Sequence, residues 1–212
     1  MNVILVHGLL RTPASLIVLA TRLRAHELRV SCFAYSATFQ RFDPCVARLV
    51  RHVRARVGGA PYILVGHSLG TVIIRAALPL LDAHPPAACF FLAPPAVACR
   101  AARFFGGLRL FRLLAGEMGQ LLASAGFMDA LPVPAAPTSA YAGTGGFRGR
   151  WSPFGSEPND GLLAVSETEL KGLPPPILVP SIHPLIMNSA RVAGDIVRTA
   201  RELSERGVCG AM

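Results

Sequence analysis

A chain of 212 residues is long enough for one domain with a real core, residues 1–212, and short for two. Hydrophobic residues make up 52% of it, yet no apolar run reaches the roughly 18 residues of a membrane span, and the start lacks the basic region of a signal peptide, so a cytoplasmic location is expected. Five cysteines without Cys-x-x-Cys spacing predict neither a disulfide framework nor a metal site, and the net charge of +9 lacks the aromatic stacking platforms that nucleic acid requires.

In chain order, apolar runs at 2–6, 29–34, 61–65, 88–93, 138–142 and 176–181 read as strands. Leu16, Leu19, Ala20 and Leu23 repeat at helical spacing after the first of these. Val46, Leu49, Val50, Val53 and Val57 do so after the second, and a last helix is predicted over about 185–206. Strands that alternate with helices predict an α/β fold: a mostly parallel sheet of about six strands with helices on both faces. Ligands on such a sheet sit at the C-terminal strand ends. Residues 94–137 break the rhythm, with Arg100, Arg103, Arg109 and Arg112 interleaved with Phe104, Phe105, Leu108 and Phe111. They read as a helical insertion after the fourth strand, either a long crossover or a lid whose basic, apolar face makes weak peripheral contact with a membrane.

The third strand runs into Gly66-His67-Ser68-Leu69-Gly70 and an apolar stretch suited to a helix. A Gly-x-Ser-x-Gly turn between strand and helix exposes a serine Oγ, and the helix start aims N–H donors at an anion formed beside it. Ser68 is therefore the candidate nucleophile. A serine needs a base, and the base needs an orienting acid. Of six histidines, His183 follows the last strand, where a loop can carry its ring over Ser68. The acid belongs between nucleophile and base; Asp160 in Asn159-Asp160-Gly161 is the candidate, with Glu157 as the alternative. The N–H of Leu69 and that of Leu9, after the first strand, are the expected oxyanion donors. His7 reads either as a brace for that loop or as a second base.

Five motifs in order, Val6-His7-Gly8-Leu9-Leu10, Gly66 to Gly70, Ala142-Gly143-Thr144, Asn159 to Ser166 and His183 to Asn188, resemble the small bacterial lipase and esterase branch of the α/β-hydrolases. The resemblance implies the α/β-hydrolase fold and a triad of Ser68, Asp160 and His183, with Leu9 and Leu69 as donors. It implies no redox cofactor and a small ester or lipid-like substrate cleaved through an acyl-enzyme. A thioesterase or acyltransferase uses the same intermediate, and a non-catalytic lipid- or partner-binding relative is the remaining reading. Secreted members of the branch often hold calcium through an aspartate after the histidine; Pro184-Leu185 stand there instead, so no calcium is expected. Leu92-Ala93-Pro94-Pro95 also departs from the Gly-Thr-Pro of many relatives, which leaves that side of the pocket to be defined.

Overall fold

The computed structural model describes residues 1–101 and 109–209. Six strands, β1 (Asn2–Val6), β2 (Arg29–Phe33), β3 (Tyr62–His67), β4 (Ala88–Leu92), β5 (Thr138–Gly143) and β6 (Ile177–Val179), form one sheet in the order β2-β1-β3-β4-β5-β6, every neighbouring pair parallel. All of β3 and β4, and β1 beyond its first residue, are buried. Successive strand residues point to opposite faces, so burial of consecutive residues means that both faces are covered. This is why the three strands read as unbroken apolar runs.

The order also fixes where the helices lie. The chain moves from β1 outward to β2 through α1 (Ile17–Arg24), then returns past β1 to β3 through α2 (Phe42–Val57). Right-handed crossovers put connections that travel in opposite directions on opposite faces. Accordingly α2 packs on α3 (Leu69–Ala77), while α1 packs on the C-terminal helix Ala190–Cys209. The reversal leaves β1 beside β3 as the topological switch point, the crevice where parallel sheets take ligands.

Three elements depart from the sequence reading. Strand β3 extends to His67, delivering the chain directly to Ser68. Strand β6 has three residues, and the last helix starts at Ala190, because Pro184 opens a 3-10 turn over His183–Asn188 and Ser189 Oγ then accepts from Val192 N–H. Within the insertion α4 (Arg109–Leu121) is bent at Gly116, whose φ of 59° no ordinary helix contains, and α5 (Ala125–Ala130) is capped by Ser124. The bend admits close packing: a Cβ at Gly116 would stand 2.5 Å from Ala37 O. Arg103, Phe104, Phe105 and Leu108 of the predicted insertion lie outside the described residues. Numbered in order, the C-terminal helix is α6. Among the described residues no helix is long and apolar enough to cross a membrane.

Arg75 stitches the end of the insertion to α3. It is buried on α3, where Nη2 donates to Leu131 O at 2.8 Å and Nε to Pro132 O at 3.0 Å. Burial lowers its pKa to about 10, which keeps it charged at neutral pH. Arg75→Met, which retains the stem and deletes the donors, is expected to destabilise the protein by about 1–3 kcal/mol. Urea unfolding checks this through a lowered midpoint at unchanged m-value.

Candidate active site

Ser68 stands between the last residue of β3 and the first of α3 with φ 50° and ψ −122°, a conformation that costs a non-glycine residue free energy. Its surroundings hold it there. Ser68 N–H donates to Leu92 O at 2.9 Å, and Ser68 O accepts from both the N–H and the hydroxyl of Thr71. The flanking glycines are required by contact distance: a Cβ on Gly66 would lie 2.8 Å from Thr71 N, and one on Gly70 2.4 Å from Val6 O. Leu10 (φ 53°) and Ala93 (φ 47°) share the left-handed region. Strained residues thus follow β1, β3 and β4, all at the C-terminal edge of the sheet.

Asp160 and His183 meet there. The Nδ1–H of His183 donates to Asp160 Oδ2 at 2.6 Å, and the main-chain N–H of His183 donates to Asp160 O at 2.8 Å. The other carboxylate oxygen, Oδ1, accepts from the N–H groups of Leu162 (2.9 Å) and Leu163 (2.7 Å). With Asp160 2% exposed and His183 6%, the acid is dry and fully bonded, and it fixes the tautomer that leaves the lone pair on Nε2. Glu157, the alternative acid, is engaged elsewhere. It accepts from Ser166 Oγ and pairs with Arg100 at 2.8 Å, and these two partners hold its carboxyl below the usual range.

A cavity of about 370 Å³ opens above this edge, with Leu9, Ser68 and His183 in its wall and Cys99, Ala101, Leu122 and Leu163 supplying apolar lining. Among the described residues no hydrogen bond joins Ser68 Oγ to the His183 ring; such bonds are commonly loose before substrate binds. The Leu9 N–H lies in the turn closed by Arg11 N–H on Gly8 O. The Leu69 N–H belongs to the first helical turn, whose donors have no intrahelical acceptor. Leu9 lines the cavity with Ser68, and Leu69 follows Ser68 directly in the chain. No group of three or more metal-ligating side chains occurs among the described residues.

One residue without a role in the sequence reading now has one. The ring of His67, fully buried, packs 5.0 Å from that of His183 and donates Nε2–H to His183 O at 3.1 Å. Its Nδ1 faces Gly8, where a Cβ would come within 2.8 Å. Burial first, and the neighbouring His183 second, push its pKa far below the usual 6.5, so it remains a neutral donor. The only signal for it in the sequence was its place inside the elbow. His7 acts as a brace: Nδ1–H donates to Gly8 O at 3.0 Å, its ring stacks on Tyr35 at 4.2 Å, and Tyr35 OH donates to His7 O.

Comparison with known proteins agrees with this geometry at the level of the fold. A model described as the alpha/beta hydrolase family matches residues 3–208. No curated protein sequence matches the chain. Among solved structures, the Bacillus licheniformis lipase BlEst2 in its mature form superposes with a TM-score of 0.70 at 18% identity, covering 92% of this chain and 91% of that one. The RedJ thioesterase of the prodiginine pathway in Streptomyces coelicolor gives 0.63 at 16% identity, over 94% and 90%. Phospholipase PlaB from Legionella pneumophila gives 0.64 at 17% identity, over 80% of this chain and 46% of that one.

The buried neutral histidine sets a pH dependence of stability. Its folded pKa is depressed, so below the unfolded value of 6.5 the unfolded chain binds a proton that the folded chain does not. Stability is full above that value and falls as pH drops below it, by up to about 1.4 kcal/mol per pH unit from this group. Urea midpoints measured from neutral pH to about pH 5 should decline, and His67→Gln should flatten the decline.

Proposed function

The chain belongs to the alpha/beta hydrolase family, and from that membership we propose that it is a serine hydrolase of carboxylic esters working through an acyl-enzyme on Ser68. The observation that carries the reading is the 2.6 Å bond from His183 Nδ1 to a buried, fully bonded Asp160, in the wall of the cavity that also holds Ser68. The likeness of the fold to a lipase and a phospholipase supports an ester or lipid-like substrate.

In this reading Ser68 Oγ attacks the ester carbonyl carbon while its proton passes to His183 Nε2. Charge then develops on the carbonyl oxygen. The N–H groups of Leu9 and Leu69 hold that oxyanion, each donor being worth about 3 kcal/mol in the transition state. Asp160 stabilises the imidazolium, which gives its proton to the departing alcohol as the tetrahedral intermediate collapses. Water, deprotonated by the same histidine, releases the acid and restores Ser68. His67 is a positioning residue here: through His183 O it fixes the main chain that bears the base. A thioester enters the same sequence with a thiol as leaving group, and the fold of the RedJ thioesterase keeps that second reading open.

Steady-state hydrolysis of p-nitrophenyl esters tests the assignment. Ser68→Ala is expected to abolish turnover, and Asp160→Asn to lower kcat about 10⁴-fold with the fold retained. Glu157→Gln should stay within a few-fold of the parent. Normal rates in Asp160→Asn, with a loss in Glu157→Gln, would reverse the choice of acid. A panel crossing acyl length with ester and thioester bonds separates the two substrate readings.

A further inference from the structure

The loops that surround the Ser68 cavity turn apolar side chains outward. Leu10, held with positive φ after β1, is 52% exposed. Leu162, two residues beyond Asp160, and Ile182 and Leu185, on either side of His183, are exposed as well. Trp151, the one tryptophan of the chain, is 78% exposed in the segment between β5 and Asp160. It lines a groove of about 610 Å³ that shares Ala101 and Leu162 with the cavity, so this groove opens beside the mouth. These residues come from loops after β1, β5 and β6, and parallel strands bring all three loop sets to one edge. Leu10 and Leu162 line the cavity itself, and Ile182 and Leu185 flank two residues that do, His183 and Pro184.

Charge on the same rim is positive. Arg11 follows Leu10, lines the cavity and is exposed. Arg148 and Arg150 are exposed next to Trp151, and the Arg150 guanidinium lies 4.7 Å from a Trp151 ring centroid. The nearby acids are already used: Glu157 and Glu167 pair with Arg100, and Asp160 is buried on His183. An exposed tryptophan and leucines interspersed with arginines that have no ion pair among the described residues suit the headgroup layer of a bilayer, where the ring body is apolar, its N–H is wet and the guanidinium meets phosphate. Scattered surface leucines need no explanation, but several gathered on the loops beside one opening do.

We propose that the mouth of the Ser68 cavity docks on an anionic lipid surface, with Trp151 and the rim leucines entering the headgroup layer and Arg11, Arg148 and Arg150 meeting lipid phosphates. The proposal extends the ester-hydrolase reading by naming where its substrate is met; docking itself requires no catalysis. None of the residues proposed to dock belongs to the insertion 94–137, which the sequence offered either as a long crossover or as a lid in contact with a membrane.

The chain carries its own probe. Wild-type protein is mixed with vesicles of ether-linked phosphatidylglycerol and phosphatidylcholine, which offer no ester to cleave, and Trp151 emission and flotation are read together. A blue shift with co-flotation is expected, both weakened by added salt and nearly absent on phosphatidylcholine alone. Arg148→Glu with Arg150→Glu should weaken binding at least about tenfold while hydrolysis of a soluble p-nitrophenyl ester is unchanged. Trp151→Ser with Leu185→Ser should reduce flotation likewise. Unshifted emission without flotation overturns the proposal, as does binding that is equal on neutral vesicles or indifferent to the four substitutions. Docking without turnover of any soluble ester would refute the hydrolase reading and leave the docking surface standing; turnover without docking would do the reverse.

Discussion

The backbone at Ser68 is held where a serine does not rest by choice, at φ 50° and ψ −122°, and most of the surrounding structure follows from keeping it there. The turn must fit between Leu92 O, which takes its N–H, and Thr71, which donates twice to its carbonyl. Helix α3 must then leave the sheet so closely that Gly70 lies against the carbonyls of Val6 and His7. That contact joins the β3 elbow to the end of β1. It also holds the start of α3 against the end of β1, the strand that leads into the Leu9 loop, at the switch point of the sheet.

His183, the proposed base, is fastened with comparable redundancy. Its ring is bonded to Asp160, its main-chain N–H to Asp160 O, and its main-chain carbonyl to His67. Because His67 directly precedes Ser68 in sequence and its ring lies against Gly8, one imidazole links Ser68, the Leu9 loop and His183. Its depressed pKa keeps that link neutral beside the histidine proposed to accept a proton. In the proposed mechanism the two partners divide the work: Asp160 compensates charge on the ring, and His67 fixes geometry without adding a competing positive charge.

Much of this was legible in the sequence. Unbroken apolar runs gave β1, β3 and β4 because both faces of those strands are buried, and the Gly-x-Ser-x-Gly spacing pointed to Ser68 because close backbone contact excludes side chains at Gly66 and Gly70. Asp160 and His183 were legible by their place after β5 and β6, where the topology converges. Less was legible where long-range contacts decide. Glu157 and Asp160 are near neighbours with the same chemistry, and their partners distinguish them, Arg100 and Ser166 for the one and His183 for the other. The bend at Gly116 answers to Ala37, far away in the chain, and the start of α6 to a proline that favours a tight turn over a full helix. The exposed rim was invisible, since a leucine in a loop carries no mark of the opening it borders.

The central claim is that Ser68 becomes nucleophilic through His183. Peptide-mapping mass spectrometry after reaction with a fluorophosphonate tests it most directly, because the probe bonds covalently only to an activated nucleophile. The structure predicts a single adduct on the peptide containing Ser68, lost when His183 is replaced by alanine in a protein that still folds. An adduct on another residue, no adduct at all, or undiminished labelling of Ser68 without His183 would contradict it.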